Sequence, residues 1–515
     1  MTSSSFPSRL VAWSLPPLAI LLLWAHAARF DFVCDDAYIT LRYAKHLAEW
    51  GRPIYNAGER VEGYTNFAWM LLNSLLIRFG LPAPRAALLL GMASAALLMI
   101  GASRFVQKLA PRSQSAHVLS LTLLAFSAPI AAWTSGGLET VLFAALLLLA
   151  IFFGLRPAAS PAEHWRWRGI AGLLFAAATL TRPEGLLVLA CTALVLAGSP
   201  LRWWQRRLDW LPLAAGFGLL FLPHLAWRWS YYGYPLPNTF YLKSSGELPL
   251  RLRQGSAYLS FALRELGLPF LGLAWAALVV PLRPRALPEI TLRFVGLLRL
   301  LSPLYLAYIA WTGGDFLDLY RFFVPLLPLW FLAACAVFLP SWSERAKSLS
   351  FLPYASALAF CALFALWNWR LGARALQESE PGRAERGIEP LGWTRLYAKR
   401  WAAMGRWLRD HKRPGDSMAV GAAGAMPFYA EMPNLDTFGL CDEYVAHHGE
   451  MREFRPGHQR FAPFHYIAAR RPTFLLVSSD FTSDMPLAEA PRGRDPAWEA
   501  RGYQWIGAEL RPETY

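Results

Sequence analysis

Residues 169–199 read GIAGLLFAAATLTRPEGLLVLACTALVLAGS. The run is too long for one crossing of a hydrocarbon core about 30 Å thick, and it is broken near its centre at Thr181-Arg182-Pro183-Glu184-Gly185. Arg156, Arg166 and Arg168 precede it, and Arg202, Arg206 and Arg207 follow it. Basic residues collect on the cytoplasmic side of membrane segments, so both flanks belong on that side. The run is therefore a helical hairpin that presents TRPEG on the opposite face. That reading fixes the parity of every other segment.

Further apolar runs of crossing length lie at 84–103, 117–133, 138–155, 210–227, 265–282, 294–311, 321–340 and 350–368. The first segment, 10–27, has Arg9 ahead of it and ends in Ala25-His26-Ala27. These are features of a signal peptide, but with so many spans following it reads as a retained anchor. The clusters Arg104/Lys108/Arg112, Arg283/Arg285 and Arg345/Lys347 fall inside on the same parity, provided that 65–80, TNFAWMLLNSLLIRFG, does not cross and forms an interfacial or re-entrant helix. About eleven transmembrane helices result, with the C-terminal segment outside.

A chain that is 55% hydrophobic and 14% aromatic, with mean hydropathy +0.28, is a polytopic α-helical membrane protein rather than a water-soluble one. The formal charge of +15 comes from short clusters between apolar runs, which excludes nucleic acid as the explanation and leaves topology. Cys34, Cys191, Cys335, Cys361 and Cys441 show neither metal-ligand nor disulfide spacing. Cys34 and Cys441 would share an oxidising side and could pair there. Past residue 370 the composition turns mixed and charged, with strand-like SMAVGA (417–422) and TFLLVSS (473–479), so 371–515 reads as a small extracytoplasmic α/β domain. Gly421-Ala422-Ala423-Gly424 reads as a tight turn, not a phosphate cradle.

The topology sends five polar stretches to one outer face: DDAYITLRYAKHL (35–47), SGGLET (135–140), TRPEG (181–185), YYGYPLPNTFYLK (231–243) and TGGDFLDLYRFF (312–323). Separate loops meeting at one surface are what a cavity above a bundle requires. Asp35 and Asp36 open the first stretch. One carboxylate partly desolvated beside another suits removal of a proton from a hydroxyl group, whereas helix capping is the ordinary reading. From Asp35, the weak apolar stripe Ala37, Leu41, Ala44, Ala48 predicts a helix lying along the surface. The loop GRPIYNAGERVEGYTNFAW that follows could hold a polar ligand between rings and hydrogen bonds.

DDAYITLRYAKHL with IYNAGERVEGYTNFAW, then SGGLET, TRPEG and GGDF…YRFFVPLLP, resemble the motifs of bacterial GT-C-type membrane glycosyltransferases, the mycobacterial arabinofuranosyltransferases among them. LDTFGLCDEYVAHH and PGHQRF are similar to related bacterial proteins. The resemblance implies a GT-C-like domain over 1–370 with an outer catalytic loop at 29–82. It also implies a polyprenyl-phosphate sugar donor, an acceptor glycan outside the bacterial cytoplasmic membrane, and inversion at the anomeric carbon. Asp35 or Asp36 would be the base, and the other would orient the acceptor or the sugar. No cofactor is called for, no metal ligands are assigned, and a divalent cation stays open as an alternative.

A polyprenyl-phosphate leaving group develops negative charge that cations must meet. Arg182, Arg321, Lys243 and Arg42 are candidates, with snorkelling or pairing to Glu184 or Asp318 as the alternative for the first two. Tyr38, Tyr64, Asn66, Trp69, Glu139, Glu184, Asp315 and His224 are candidates for the sugar or acceptor. Against these stand interfacial anchoring for Tyr64, Asn66 and Trp69, capping or ion pairing for Glu139 and Glu184, a turn for Asp315 and core packing for His224. Asn66-Phe67 replaces the His-Pro or Asn-Pro of some related proteins, so the donor sugar is not carried over. Two other function classes remain: a transporter or flippase of a lipid-linked glycan, and a non-catalytic envelope assembly protein.

Overall fold

The computed structural model describes the chain apart from residues 1–5, 112, 199–202, 245–246, 280–286, 346–351, 379–387, 453–457, 477–499 and 502–515. Arg112, Arg202, Arg283, Arg285, Lys347, the end of TFLLVSS and the start of PGHQRF lie outside the described residues.

The membrane part opens with α1 (Phe6–Ala28), α2 (Asp35–Trp50), α3 (Phe67–Arg78) and α4 (Ala83–Leu109). Next come α5 (Gln114–Phe126), α6 (Ala128–Ser135), α7 (Thr140–Leu155), α8 (Pro161–Thr181), α9 (Gly185–Ala197) and α10 (Trp203–Tyr232). It closes with α11 (Asn238–Ser244), α12 (Leu248–Glu265), α13 (Leu268–Val279), α14 (Glu289–Thr312), α15 (Leu326–Arg345) and α16 (Leu352–Gln377). By length and composition α4, the Trp210–Tyr232 part of α10, and α14 are each apolar enough to cross a membrane, and α5 with α6, bent by 54° at Ser127, forms a fourth if counted as one broken span. Shorter apolar stretches among the described residues are Ser14–Ala28 of α1, α3, α7, α9 and Leu326–Leu339 of α15.

Position in the bundle follows composition. The central helix α7 is apolar on every side and is buried on nearly every side. On α10, Leu219, Leu222 and Trp229 are exposed by 72%, 61% and 62%, an apolar outward face of the kind that lipid covers. The hairpin at 169–199 is two helices, but α8 starts eight residues earlier than its apolar run. Ser160 accepts a hydrogen bond from the Glu163 amide at 3.2 Å and Pro161 fits the first turn, so the helix extends into the basic HWRWR segment. It stops before Pro183, and Gly185 is required at the turn because a Cβ there would sit 2.7 Å from the Thr179 amide nitrogen.

After the bundle, α17 (Leu391–His411) leads into β1 (Met418–Val420), α18 (Ala425–Ala430), β2 (Asn434–Asp436), α19 (Glu443–His448), β3 (Glu450–Met451), β4 (Arg460–Phe461), α20 (Phe464–Arg470) and β5 (Phe474–Leu475). The parallel sheet runs β2-β1-β5, with Met418 opposite both Asn434 and Phe474, and β3 and β4 pair antiparallel.

Helix α2 does not lie along an exposed surface as its stripe predicts. Ten of its residues, Arg42 and His46 included, are buried, because α3 packs on one side and α18 on another. Cys34 and Cys441 are both free, buried thiols in different apolar clusters, which corrects the suggested pairing.

Candidate active site

Asp35 and Asp36 are the first residues of α2, yet neither caps it. Cys34 is the N-cap residue and no side chain completes the cap. Asp35 Oδ1 instead accepts a hydrogen bond at 2.8 Å from the amide of Ala425, on the C-terminal unit. Burial, tempered by the Ala425 and Gly424 amides and assisted by Asp36 and Glu389, raises its pKa to about 7. Asp36 lies within electrostatic range of Arg321 and Lys243. Of the two sequence neighbours, Asp35 is thus tied to the C-terminal unit, and Asp36 acts electrostatically on Arg321 and Lys243.

The other loops supply those cations and their partners. Arg182, where α8 ends, donates to Glu139 at 3.0 Å and to Glu184 at 2.7 Å. Glu139 also accepts from Asn66 Nδ2 at 2.7 Å, and Asn66 Oδ1 accepts from Thr40 at 3.1 Å. A continuous polar chain therefore runs from α2 through the loop before α3 and the SGGLET turn to TRPEG. Burial opposes the Arg182 charge, but Glu184 and Glu139 hold its pKa well above the ordinary range.

Arg321 donates to Asp315 at 2.5 and 3.1 Å in a forked pair, not to Asp318. Its delivery is strained: Leu319 and Tyr320 have φ of +54° and +48°, which non-glycine residues rarely adopt, just before the short 3-10 turn Arg321–Phe323. Phe322 lies under both guanidiniums, 5.1 Å from Arg182 and 5.6 Å from Arg321, and Trp133 and Phe143 close the other sides.

Lys243, on α11, is exposed and completes the set. Desolvation by the surrounding protein and the Arg321 charge lower its pKa, partly offset by Asp36 and Asp315. The five polar stretches thus meet. Arg182, Arg321 and Lys243 face Asp36, Glu139, Glu184 and Asp315, and of the three cations only Lys243 has no ion pair among the described residues.

Other candidates are committed elsewhere. Arg42 is 5% exposed and donates to the carbonyls of Tyr55, Pro427 and Met432 and to Asn56, so it is a clamp between α2 and the C-terminal unit. Tyr38 packs on Phe428 and Tyr429. Trp69 is buried under the SGGLET turn with its indole N–H on the Gly137 carbonyl at 3.1 Å. Tyr64 bonds Tyr232, and His224 packs between Phe67 and Trp227. Tyr55 and Asn56, from the loop that could have held a ligand between its rings, bond Ala423 and Asn434 across the same seam. Sequence reasoning missed Trp133 and Phe143, which sit inside apolar runs where nothing marks them, and Thr40 and Phe322, which lie within the marked stretches 35–47 and 312–323 but carry no charge to single them out. It also missed the buried Glu62–Arg228 pair at 2.9 Å, whose members are far apart in the chain. Among the described residues no group of three or more His, Cys, Asp or Glu is arranged to hold a metal ion.

ArnT from Cupriavidus metallidurans, solved in the apo state, superposes with a TM-score of 0.50 at 16% identity, over 84% of this chain and 86% of ArnT. The Archaeoglobus fulgidus oligosaccharyltransferase, also in the apo form, gives 0.53 at 13% identity, over 84% of this chain and 65% of that one. Both are GT-C proteins. The chain has the GT-C fold. In sequence it resembles the terminal β-(1→2)-arabinofuranosyltransferase of Mycobacterium tuberculosis, 30% identical over 267 residues, which are 49% of this chain and 41% of that protein. The match therefore spans less than half of that relative's length. Residues 391–514 match a family described as a domain of unknown function, DUF8728. On this GT-C scaffold the cationic cleft lies where α8 and α14 end and α7 begins.

Proposed function

We propose that this GT-C protein is a membrane glycosyltransferase that moves a sugar from a polyprenyl-phosphate donor to an acceptor glycan on the outer side of the bacterial cytoplasmic membrane, with inversion. The observation that carries the reading is the polar chain that joins Thr40 of α2, one helical turn past Asp36, through Asn66 and Glu139 to Arg182, beside the Arg321–Asp315 pair. A carboxylate and cations at one cleft offer the two things such a displacement needs, a base for the attacking hydroxyl and countercharge for the departing phosphate.

Asp36 is the base. Its carboxylate makes no hydrogen bond among the described residues, whereas that of Asp35 is bound to the Ala425 amide and acts as a positioning group. Lys243 meets the phosphate most directly, being the cation without a dedicated carboxylate. Arg182 and Arg321, each neutralised by acids, fix the cleft and its field. Asn66 and Glu139 stand at the polar wall where a sugar hydroxyl would be read.

The test is sugar transfer from a labelled polyprenyl-phosphate donor in proteoliposomes. Asp36→Asn is expected to lose about 10²–10⁴-fold in rate, and Asp35→Asn markedly less. Undiminished transfer in Asp36→Asn removes the base assignment. Movement of the lipid across the bilayer without transfer in the wild type would make the protein a flippase, a class whose ionisable groups belong near midplane rather than at helix ends.

A further inference from the structure

The helices that carry Glu139, Arg182 and Asp315 at one end share a second feature at the other. Helix α7 leaves Glu139 and ends at Leu155, α8 begins at Pro161 and ends at Thr181 beside Arg182, and α14 begins at Glu289 and ends at Thr312, three residues before Asp315. At a rise of about 1.5 Å per residue these helices are about 24–36 Å long, so their far ends are a membrane thickness from the cleft. There they enclose an open cavity of about 390 Å³ lined by Arg156, Ser160, His164, Arg168, Glu289 and Arg293, with small residues between.

Three arginines line this cavity against one glutamate. Glu289 accepts from Arg293 at 2.6 Å. Arg168, 2% exposed, is anchored by the carbonyls of Phe153 (3.3 Å) and Arg156 (3.4 Å) at the end of α7. Arg156 lies 4.1 Å from the Trp167 ring. Buried or stacked guanidiniums hold fixed directions, and their planar forks match phosphoryl oxygens. The remaining polar groups are modest: Ser160 is occupied in capping α8, and Glu163 in the same turn is exposed with its carboxylate on the Ala159 amide. Trp165, 45% exposed, and Trp167 lie on the same stretch of α8 as the lining residues His164 and Arg168, as aromatic side chains do at headgroup depth.

We propose that this cavity binds a phosphoryl anion, supplied by the headgroup of an anionic phospholipid in the leaflet opposite the candidate active site. A basic pocket between membrane helices at the bilayer surface suits such a headgroup. Its volume admits the phosphate and glycerol and leaves the acyl chains outside, along the apolar flanks of the bundle. The bound lipid would tie together the inner ends of the three helices that shape the cleft. Neither the fold nor this site depends on the glycosyltransferase reading.

The experiment is native mass spectrometry of the full chain in non-ionic detergent, equilibrated with equimolar phosphatidylglycerol and phosphatidylcholine. Wild type is expected to retain phosphatidylglycerol preferentially by about tenfold, the size of one charge-assisted contact, and Arg156→Gln/Arg293→Gln to lose that preference. Arg293→Gln alone is the safeguard against misfolding, since its Glu289 partner is 62% exposed, and it should lose part of the preference. No preference in wild type, or the same preference in both variants, overturns the proposal. In a parallel arm, inorganic phosphate at tens of millimolar should leave the retained lipid in place. Displacement of the lipid by that phosphate would assign the cavity to a soluble phosphate and overturn the lipid assignment.

Discussion

The residues of the cleft divide into those that hold structure and those free to act. Arg182 is almost enclosed, with Glu139 and Glu184 6% and 3% exposed beside it. Removing one member of a buried group strands the others, so Arg182→Met should destabilise the protein by about 3–5 kcal/mol, read as a fall in thermal midpoint in detergent. Lys243→Met removes a cation with no ion pair among the described residues. Its expected effect is a loss of about 10²-fold in turnover with the midpoint unchanged. Equal loss of stability in the two variants would contradict this division. Both cations were legible in the sequence as charges in outer loops, but their difference was not, since it depends on which acids the fold brings within 3 Å.

Helix α2 shows how one element's setting escapes its own sequence. Its stripe of small residues predicts one buried face, and the structure buries nearly all faces because residues from the C-terminal unit close over it. The seam leaves no room at Gly424, where a Cβ would lie 2.1 Å from the Asp35 carbonyl oxygen and 2.5 Å from Oδ2. Gly424→Ala must therefore push the seam apart. It should cost about 1–3 kcal/mol of stability and lower transfer, whereas alanine at Gly415, where nothing lies within 4 Å but φ is +92°, should cost stability alone. The GAAG turn was legible as a turn, while its role as a mould for Asp35 was not. Arg42 tells the same story, being a cation in an outer loop by sequence and a clamp on Pro427 and Met432 by structure.

Across the whole molecule, the joint between bundle and C-terminal unit carries buried acids, and their titration is an overall property. Asp35, Glu62 and Asp436 have pKa values raised to about 7, chiefly by burial. Between their unfolded values near 4 and about 7 the folded state holds more protons than the unfolded one, so this contribution to stability is lost as pH rises through 7. The thermal midpoint should fall from pH 6 to pH 8.5, less steeply in Asp35→Asn, and a flat or rising profile would contradict the burial of these acids. By itself the sequence determined the apolar segments, the broken hairpin at TRPEG and which loops are polar, because hydrophobic runs, prolines and charge clusters act locally. The tertiary structure alone decided that Asp35 and Asp36 part company, that Arg321 pairs with Asp315, and that residues of the 391–514 unit press against α2. Each of these depends on contacts between segments far apart in the chain, and no local signal encodes the distance between them.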